Sequence, residues 1–411
     1  AIGYLAGQTS QGTNSTAVGR EAGLNAQGIS STAVGFGAGE VSQGDYCTAI
    51  GFNAGSADQG ASGIAIGSNA GEDSQGNYAT AVGQAAGYNA QGGDSVAVGR
   101  RAGCNQQGAY STAVGYDAGC ADQAAYAVAI GAEAGRAGQL THSVAVGYQA
   151  GSASQNGYSV AIGSSAGFNA QGGPSVAVGR LAGCGAQGDY AVAVGHQAAQ
   201  NAQGVNGVAV GRLAGATRQG VNTVAIGVNA GSIDQGDYSI AIGDGAGQND
   251  QLTYAIAMGY LAGRNAQGGS AISIGNQAGE NSQNLNAIAI GTLAGENAQV
   301  DYGIAMGREA GMNYQRASAV AIGRLAGRNL QGISATAIGY QAGCGDQGTM
   351  SIAIGQNAAK VSQSDNAIAI GQTAGCNQQG EFSIAIGYLA GCADQAAQSV
   401  AIGNNAGNDS Q

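Results

Sequence analysis

A short alternation of branched, small and branched residues recurs along the whole chain. Thr16-Ala17-Val18, Thr32-Ala33-Val34, Val176-Ala177-Val178 and Ile240-Ala241-Ile242 are four instances. A glycine follows each one, from Gly3 and Gly19 through Gly179 to Gly403, every sixteen residues with no insertion or deletion. Alternation of this kind, ended by a turn residue, predicts a short β-strand. A helix is excluded: sixteen is not a clean multiple of 3.6, and glycine costs about 1 kcal/mol at each helical position. Counting the first branched residue as place 0 of the unit, Ala holds place 6 in every copy and Gln holds place 11 in every copy. The glutamines run from Gln11, Gln27 and Gln43 through Gln187 and Gln251 to Gln411. A fixed period of this length marks a repeat architecture. The fold expected is all-β, a parallel β-solenoid (β-roll) with one coil per repeat and about 25 coils. At about 4.8 Å per coil the whole would reach roughly 120 Å.

Side chains alternate across a strand, so places 0 and 2 share one face and place 1 takes the other. The bulky residues are expected to fill the coil and the alanine to point outward. Place 1 is Ala in every copy but Ser273. An outward position open to water would drift toward polar residues, and this one does not. Two accounts follow: a partner chain packed so closely that only a methyl fits, or a tight bend that keeps the alanine inside. The first makes Ala17, Ala33, Ala177 and Ala241 inter-chain packing residues.

Gly3, Gly19, Gly179 and Gly403 read as compulsory turn glycines. The glycine at place 7 gives way only to Ala199 and Ala359, so small size is expected to matter there more than a positive φ. The glutamines are expected to be buried and laddered, each amide donating to the next coil. Tyrosines gather at place 14, among them Tyr46, Tyr78, Tyr110, Tyr126, Tyr158, Tyr190, Tyr238, Tyr254 and Tyr302. They suggest an interrupted aromatic ladder, shielding the coil edge or offering a glycan-stacking surface.

Composition narrows the function. The unbroken period makes residues 1–411 one array, although 411 residues would ordinarily suggest several domains. Gly is 78 of the residues but does not fall at every third position, which excludes collagen. Charged residues are 9% and the net charge is −11. One lysine and twelve arginines make no basic stripe, so no nucleic-acid partner is expected. No apolar run approaches 18 residues, so no helix of this segment enters a membrane. The chain starts and stops inside a unit and reads as a segment of a longer fibre protein.

The motifs Ser175–Gly179 (SVAVG), Ser239–Gly243 (SIAIG) and Ser383–Gly387 (SIAIG) resemble the SVAIG motif of YadA-like trimeric autotransporter adhesin heads. That resemblance implies trimers of left-handed parallel β-rolls on a bacterial surface, with Val and Ile filling each coil and small residues toward the trimer. The family's repeat is typically fourteen residues and this one is sixteen. The repetitive AIG-xxAG-xxxQG tracts are similar also to those in fibre proteins of phages and large viruses.

Chemistry is sparse. Gln is neither acid nor base at ordinary pH. His142 and His196 lie at different places more than fifty residues apart and read as solvated surface side chains. No catalytic set, cofactor or metal site is expected, and the aspartates at place 10 (Asp58, Asp122, Asp234, Asp250, Asp346, Asp394) mostly stand alone. Cys104/Cys120 and Cys376/Cys392 fall on adjacent coils, within disulfide reach. The odd total of seven cysteines argues against an obligatory framework, so free thiols are expected and the two pairs are possible bridges. Ice binding is disfavoured because the threonines at place 0 are read as inward. The function expected is a structural surface fibre, extracellular or on a virion. It would be a homotrimeric rigid spacer and possible adhesin for a cell-surface or glycan receptor. A self-assembling filament is the alternative.

Overall fold

The computed structural model describes residues 1–408. Its regular structure is entirely β among the described residues, in about 25 coils of a parallel β-solenoid. The residues gather into two compact units, Ala1–Asn206 and Gly207–Gln411, and each is built in the same way. In the first, Thr16–Val18 pairs in parallel with Thr32–Val34, register Thr16↔Thr32, Ala17↔Ala33 and Val18↔Val34. A second strand in most coils pairs likewise, as Asn89–Gln91 does with Asn105–Gln107. In the second unit Val224–Ile226 pairs with Ile240–Ile242 and Asn265–Gln267 with Asn281–Gln283. Equal repeat length and equal register are one fact: within each unit, paired strand residues lie beside their counterparts sixteen places on.

The corners explain how sixteen residues close a coil. In the coil Val96–Ser111, Gly99 has φ 128°, while Arg101, Gly103, Gln106 and Tyr110 are left-handed at 57°, 53°, 52° and 58°. Such a conformation costs a side-chain-bearing residue on the order of 1–2 kcal/mol. Backbone hydrogen bonds to both neighbouring coils hold it. The N–H groups of Arg101 and Tyr110 donate to Gln84 and Gly93 of the preceding coil, at 2.9 and 3.0 Å. Those of Gly103 and Asn105 donate to Ala118 and Cys120 of the next, both at 2.8 Å.

The interior is narrower than the hydrophobic pattern suggests. Ala17, Ala33, Ala177 and Ala241 are fully buried within a single chain. The branched residues on either side of them are half-buried or exposed. This corrects the expectation that Val and Ile fill the coil and that these alanines pack against another chain. The period of two is as expected, but its two faces are exchanged. The physical reason is space. The turn after the strand folds back so closely that the Ala17 methyl would stand 3.4 Å from a Cβ placed on Gly23, and no branched side chain fits there.

Two glycine positions follow from the same closeness. Gly3, Gly19, Gly179 and Gly403 adopt φ of 137°, 131°, 127° and 124°, a region open to glycine. A Cβ on Gly179 would also stand 2.6 Å from the Gly195 carbonyl oxygen. At place 7, Gly23 has φ 55°, and its Cβ would stand 2.8 Å from Gln27 Oε1. Ala199 and Ala359 keep the left-handed backbone there, at 47° and 45°. Small size and positive φ are therefore both required, which corrects the emphasis on size alone.

Candidate functional site

The interior polar row comes first, because it fixes the surfaces above it. Gln91 is 2% exposed. Its Nε2 donates to the Thr80 carbonyl at 2.9 Å, straight across the coil. The same bond to the residue eleven back recurs from Gln27 to Thr16 (2.9 Å), Gln43 to Thr32 (3.1 Å), Gln187 to Val176 (2.9 Å) and Gln251 to Ile240 (2.9 Å). The amide-to-amide bond is the less regular partner. Gln43 donates to Gln59 at 3.1 Å, Gln187 to Gln203 at 3.1 Å and Gln251 to Gln267 at 3.0 Å. Among the described residues, however, Oε1 of Gln27, Gln107 and Gln187 receives no hydrogen bond. The row is first a set of braces within coils and second a ladder between them. Gln11 departs from the expectation of burial: it is exposed, with a 3.5 Å bond to the Ser15 carbonyl. Gln411 lies outside the described residues. Ser273, the single substitution for place-1 Ala, donates its hydroxyl to Gln283 Oε1 at 2.6 Å, so the brace also accounts for that exception.

Turning the alanines inward turns Thr, Val and Ile outward. Ile66 and Ile130 in the first unit are 37% and 41% exposed, and Met258 and Ile322 in the second are both 38% exposed. In each unit these side chains form two parallel rows on the outer side of the paired strands. Thr16, Thr32 and Thr48 stand in the same outward row, none of them buried, which removes the ground on which ice binding was disfavoured.

Side chains stack along other rows. Tyr110, Tyr126, His142 and Tyr158 form one column, with centroid separations of 5.1, 4.9 and 4.9 Å. His142 is exposed at the surface, as expected, and is also a member of the ring ladder. The rings turn their faces on one another, so between neighbours of the column only ring rims point outward. Tyr238 and Tyr254 stack at 5.2 Å. At place 4, Arg20 lies over both Tyr4 and Phe36, at 5.8 and 5.3 Å, and Phe36 stacks on Phe52 at 5.2 Å. At place 9, Asn249, Asn265, Asn281, Asn297 and Asn313 pass an amide bond from coil to coil at 2.9, 2.9, 3.1 and 3.2 Å. The sequence reading missed this asparagine row. The run of Asn at sixteen-residue steps was the signal available.

The titratable groups are structural. Asp45 and Asp189 accept the backbone N–H of Ile29 and Gly173, at 2.8 and 3.0 Å, each tying one coil to the next. Asp234 pairs with Arg218. A shallow groove of about 420 Å³ beside Gln347–Gly348 is lined by Asp346, Asp365 and Glu381, and Asp365 is engaged by the Thr349 N–H at 2.7 Å. Among the described residues no group of three metal-ligating side chains converges, and no helix is long and apolar enough to cross a membrane.

The cysteines divide between the two readings, bridged pairs and free thiols. Cys104–Cys120 and Cys376–Cys392 are disulfide-bonded, with Cα atoms 4.7 Å apart, rather than free. Adjacent coils present the same place at the strand spacing, and that spacing is what a disulfide needs. Cys47, Cys184 and Cys344 are free. Burial pushes all three thiols above their ordinary range, with Arg328 and Lys360 partly opposing it at Cys344. Little thiolate is present at neutral pH, so they are poor nucleophiles.

Fold and surfaces together define a class: a parallel β-solenoid whose thin, amide-braced coil leaves a branched apolar face outside. Comparison with known families agrees. The YadA head domain repeat matches residues 202–230, 219–246 and 362–390, and the chain carries YadA-like head repeats. No curated protein matches the chain.

Proposed function

We propose that the chain is a structural, non-enzymatic part of an adhesin-like surface fibre, head or shaft. In this reading residues 1–411 act as one continuous array and self-associate as a homotrimer through the outward Val, Ile and Met rows. The carrying observation is that apolar face. A coil filled with Ala, Gly and Gln has little core of its own, and burying the branched rows between chains supplies the missing area. The kinship with YadA head repeats, whose family forms trimers, supports the choice of three. The disulfides suit an oxidising, extracellular setting. The mechanism is mechanical: backbone ladders, glutamine braces and inter-coil disulfides stiffen a spacer, and the variable outward places carry any adhesive contacts.

Sedimentation equilibrium of the chain tests this, with Ile130→Asp/Ile322→Asp as the comparison. The expected result is a mass of three chains that falls to one in the double variant. A monomeric wild-type chain overturns the trimer, and growth into long polymers favours the filament. The outward alignment of Thr16, Thr32 and Thr48 favours a second reading, ice binding by the same face, which clear thermal hysteresis of a monomeric chain would support.

A further inference from the structure

We propose that Tyr78, Asp94 and Tyr110 form a slot for a guanidinium group, and that its natural occupant is an arginine side chain of a protein partner. The three residues hold place 14 in successive coils. Their φ values of 56°, 54° and 58° are nearly equal, so their side chains leave the coil in the same direction. The place-14 row therefore runs ring, carboxylate, ring.

Tyr110 stacks on Tyr126 at 5.1 Å on its far side, leaving its other face toward Asp94. Tyr78 has no stacked ring among the described residues and is 64% exposed. Asp94 is exposed and enters none of the ion pairs formed among the described residues. The neighbouring cations are engaged elsewhere: Arg100 lies 4.4 Å over the Tyr116 ring, and Arg101 pairs with Asp117 at 3.3 Å.

The same unit shows that such a gap fits a guanidinium. Arg20 occupies the middle position between Tyr4 and Phe36, its guanidinium carbon 5.8 and 5.3 Å from the two ring centroids. Two inter-strand steps make a gap of about 9.5 Å, so an ion at its centre meets both rings at about 5 Å. In the Tyr78–Tyr110 gap the middle residue is a short carboxylate instead of an arginine. The ion must then come from outside, and the floor of the slot carries the charge to receive it. Ring faces attract the cation, and a planar guanidinium suits both the rings and a carboxylate better than an ammonium does. The adjoining gap between Tyr46 and Tyr78 has Ser62 at its floor and serves as an internal control with rings but no charge.

The test uses the full chain with ¹³C-labelled tyrosine rings, titrated with N-acetyl-arginine methylamide and, separately, its lysine analogue. Saturable shifts at Tyr78 and Tyr110 are expected for the arginine probe, with a dissociation constant on the order of millimolar, and weaker binding for lysine. Asp94→Ser copies the residue at position 62 and is expected to keep the thermal midpoint while weakening the probe about threefold. Tyr78→Ser is expected to weaken it about two- to fivefold. Non-saturating shifts, equal shifts at Tyr46, equal binding of the lysine probe, or an Asp94→Ser titration unchanged from wild type would each overturn the proposal.

Discussion

The amide of Gln155 donates to the Val144 carbonyl at 2.8 Å and to Gln171 Oε1 at 3.1 Å, so one side chain joins the two walls of its own coil and the floor of the next. Replacing it by leucine keeps the volume but strands a buried carbonyl. Gln155→Leu is expected to cost about 1–3 kcal/mol, read as a lowered midpoint in urea unfolding. Gln11→Leu, on an exposed side chain, is expected to change the midpoint little.

The inward alanine face makes a second prediction. Ala177→Val inserts two methyl groups where a Cβ placed on Gly183 would already stand 3.3 Å from the Ala177 methyl. Overpacking of this kind costs about 1–3 kcal/mol. Ala177→Ser is expected to be close to neutral, because Ser273 fills the equivalent position and bonds Gln283. A thermal melt of the two variants decides the matter; equal melts would mean that place 1 faces out.

The inter-coil disulfides close loops of sixteen residues. Loop-closure entropy of that length corresponds to about 3 kcal/mol per bridge. Dithiothreitol is expected to lower the thermal midpoint of the wild-type chain and to leave Cys104→Ser/Cys376→Ser unmoved. Non-reducing peptide mapping should recover Cys104–Cys120 and Cys376–Cys392 and leave Cys47 unpaired.

Glu296 supplies a pH dependence. Burial first, then the charges of Glu280 and Glu309, raise its carboxyl above the ordinary value of 4.5. The folded chain thus holds this proton more tightly than the unfolded chain does. Its contribution is complete below pH 4.5 and is lost as the pH rises through the raised value. Glu296→Gln is therefore expected to stabilise the chain near neutral pH and to do nothing near pH 4. Melts at the two pH values check the sign; a destabilised variant at neutral pH would show that the charge is favourable.

Strand, turn and period were legible because each rests on a rigid local rule. Gly179 must turn, Val176 and Val178 must share a face, and sixteen residues must return to register. The direction of that face was not legible. Hydrophobicity ranks Val176 above Ala177 for burial, and in a coil of ordinary width the ranking holds. Here left-handed residues, at the turns and in the middle of the second strand, draw the coil in until only a methyl fits, and available width, which no single residue encodes, decides the outcome. The invariance of Ala177 and its counterparts was the better guide, since a position fixed at one small residue is one with no room. Gln187 was placed correctly indoors, but its first partner, the Val176 carbonyl, depends on the same width. His142 was read alone because its type differs from its neighbours, although its position in the row matched theirs.

Exact register also governs how such a chain changes over generations. Every coil presents the same edge to the next, so a recombination that removes or adds one whole repeat rejoins matching edges and leaves no scar. A shift of a single codon breaks that step at one coil and misaligns it with its neighbours. Length is therefore inherited in steps of sixteen codons, each worth about 4.8 Å of reach. Related genes that differ mainly in the number of whole repeats would be the natural form of variation for this protein.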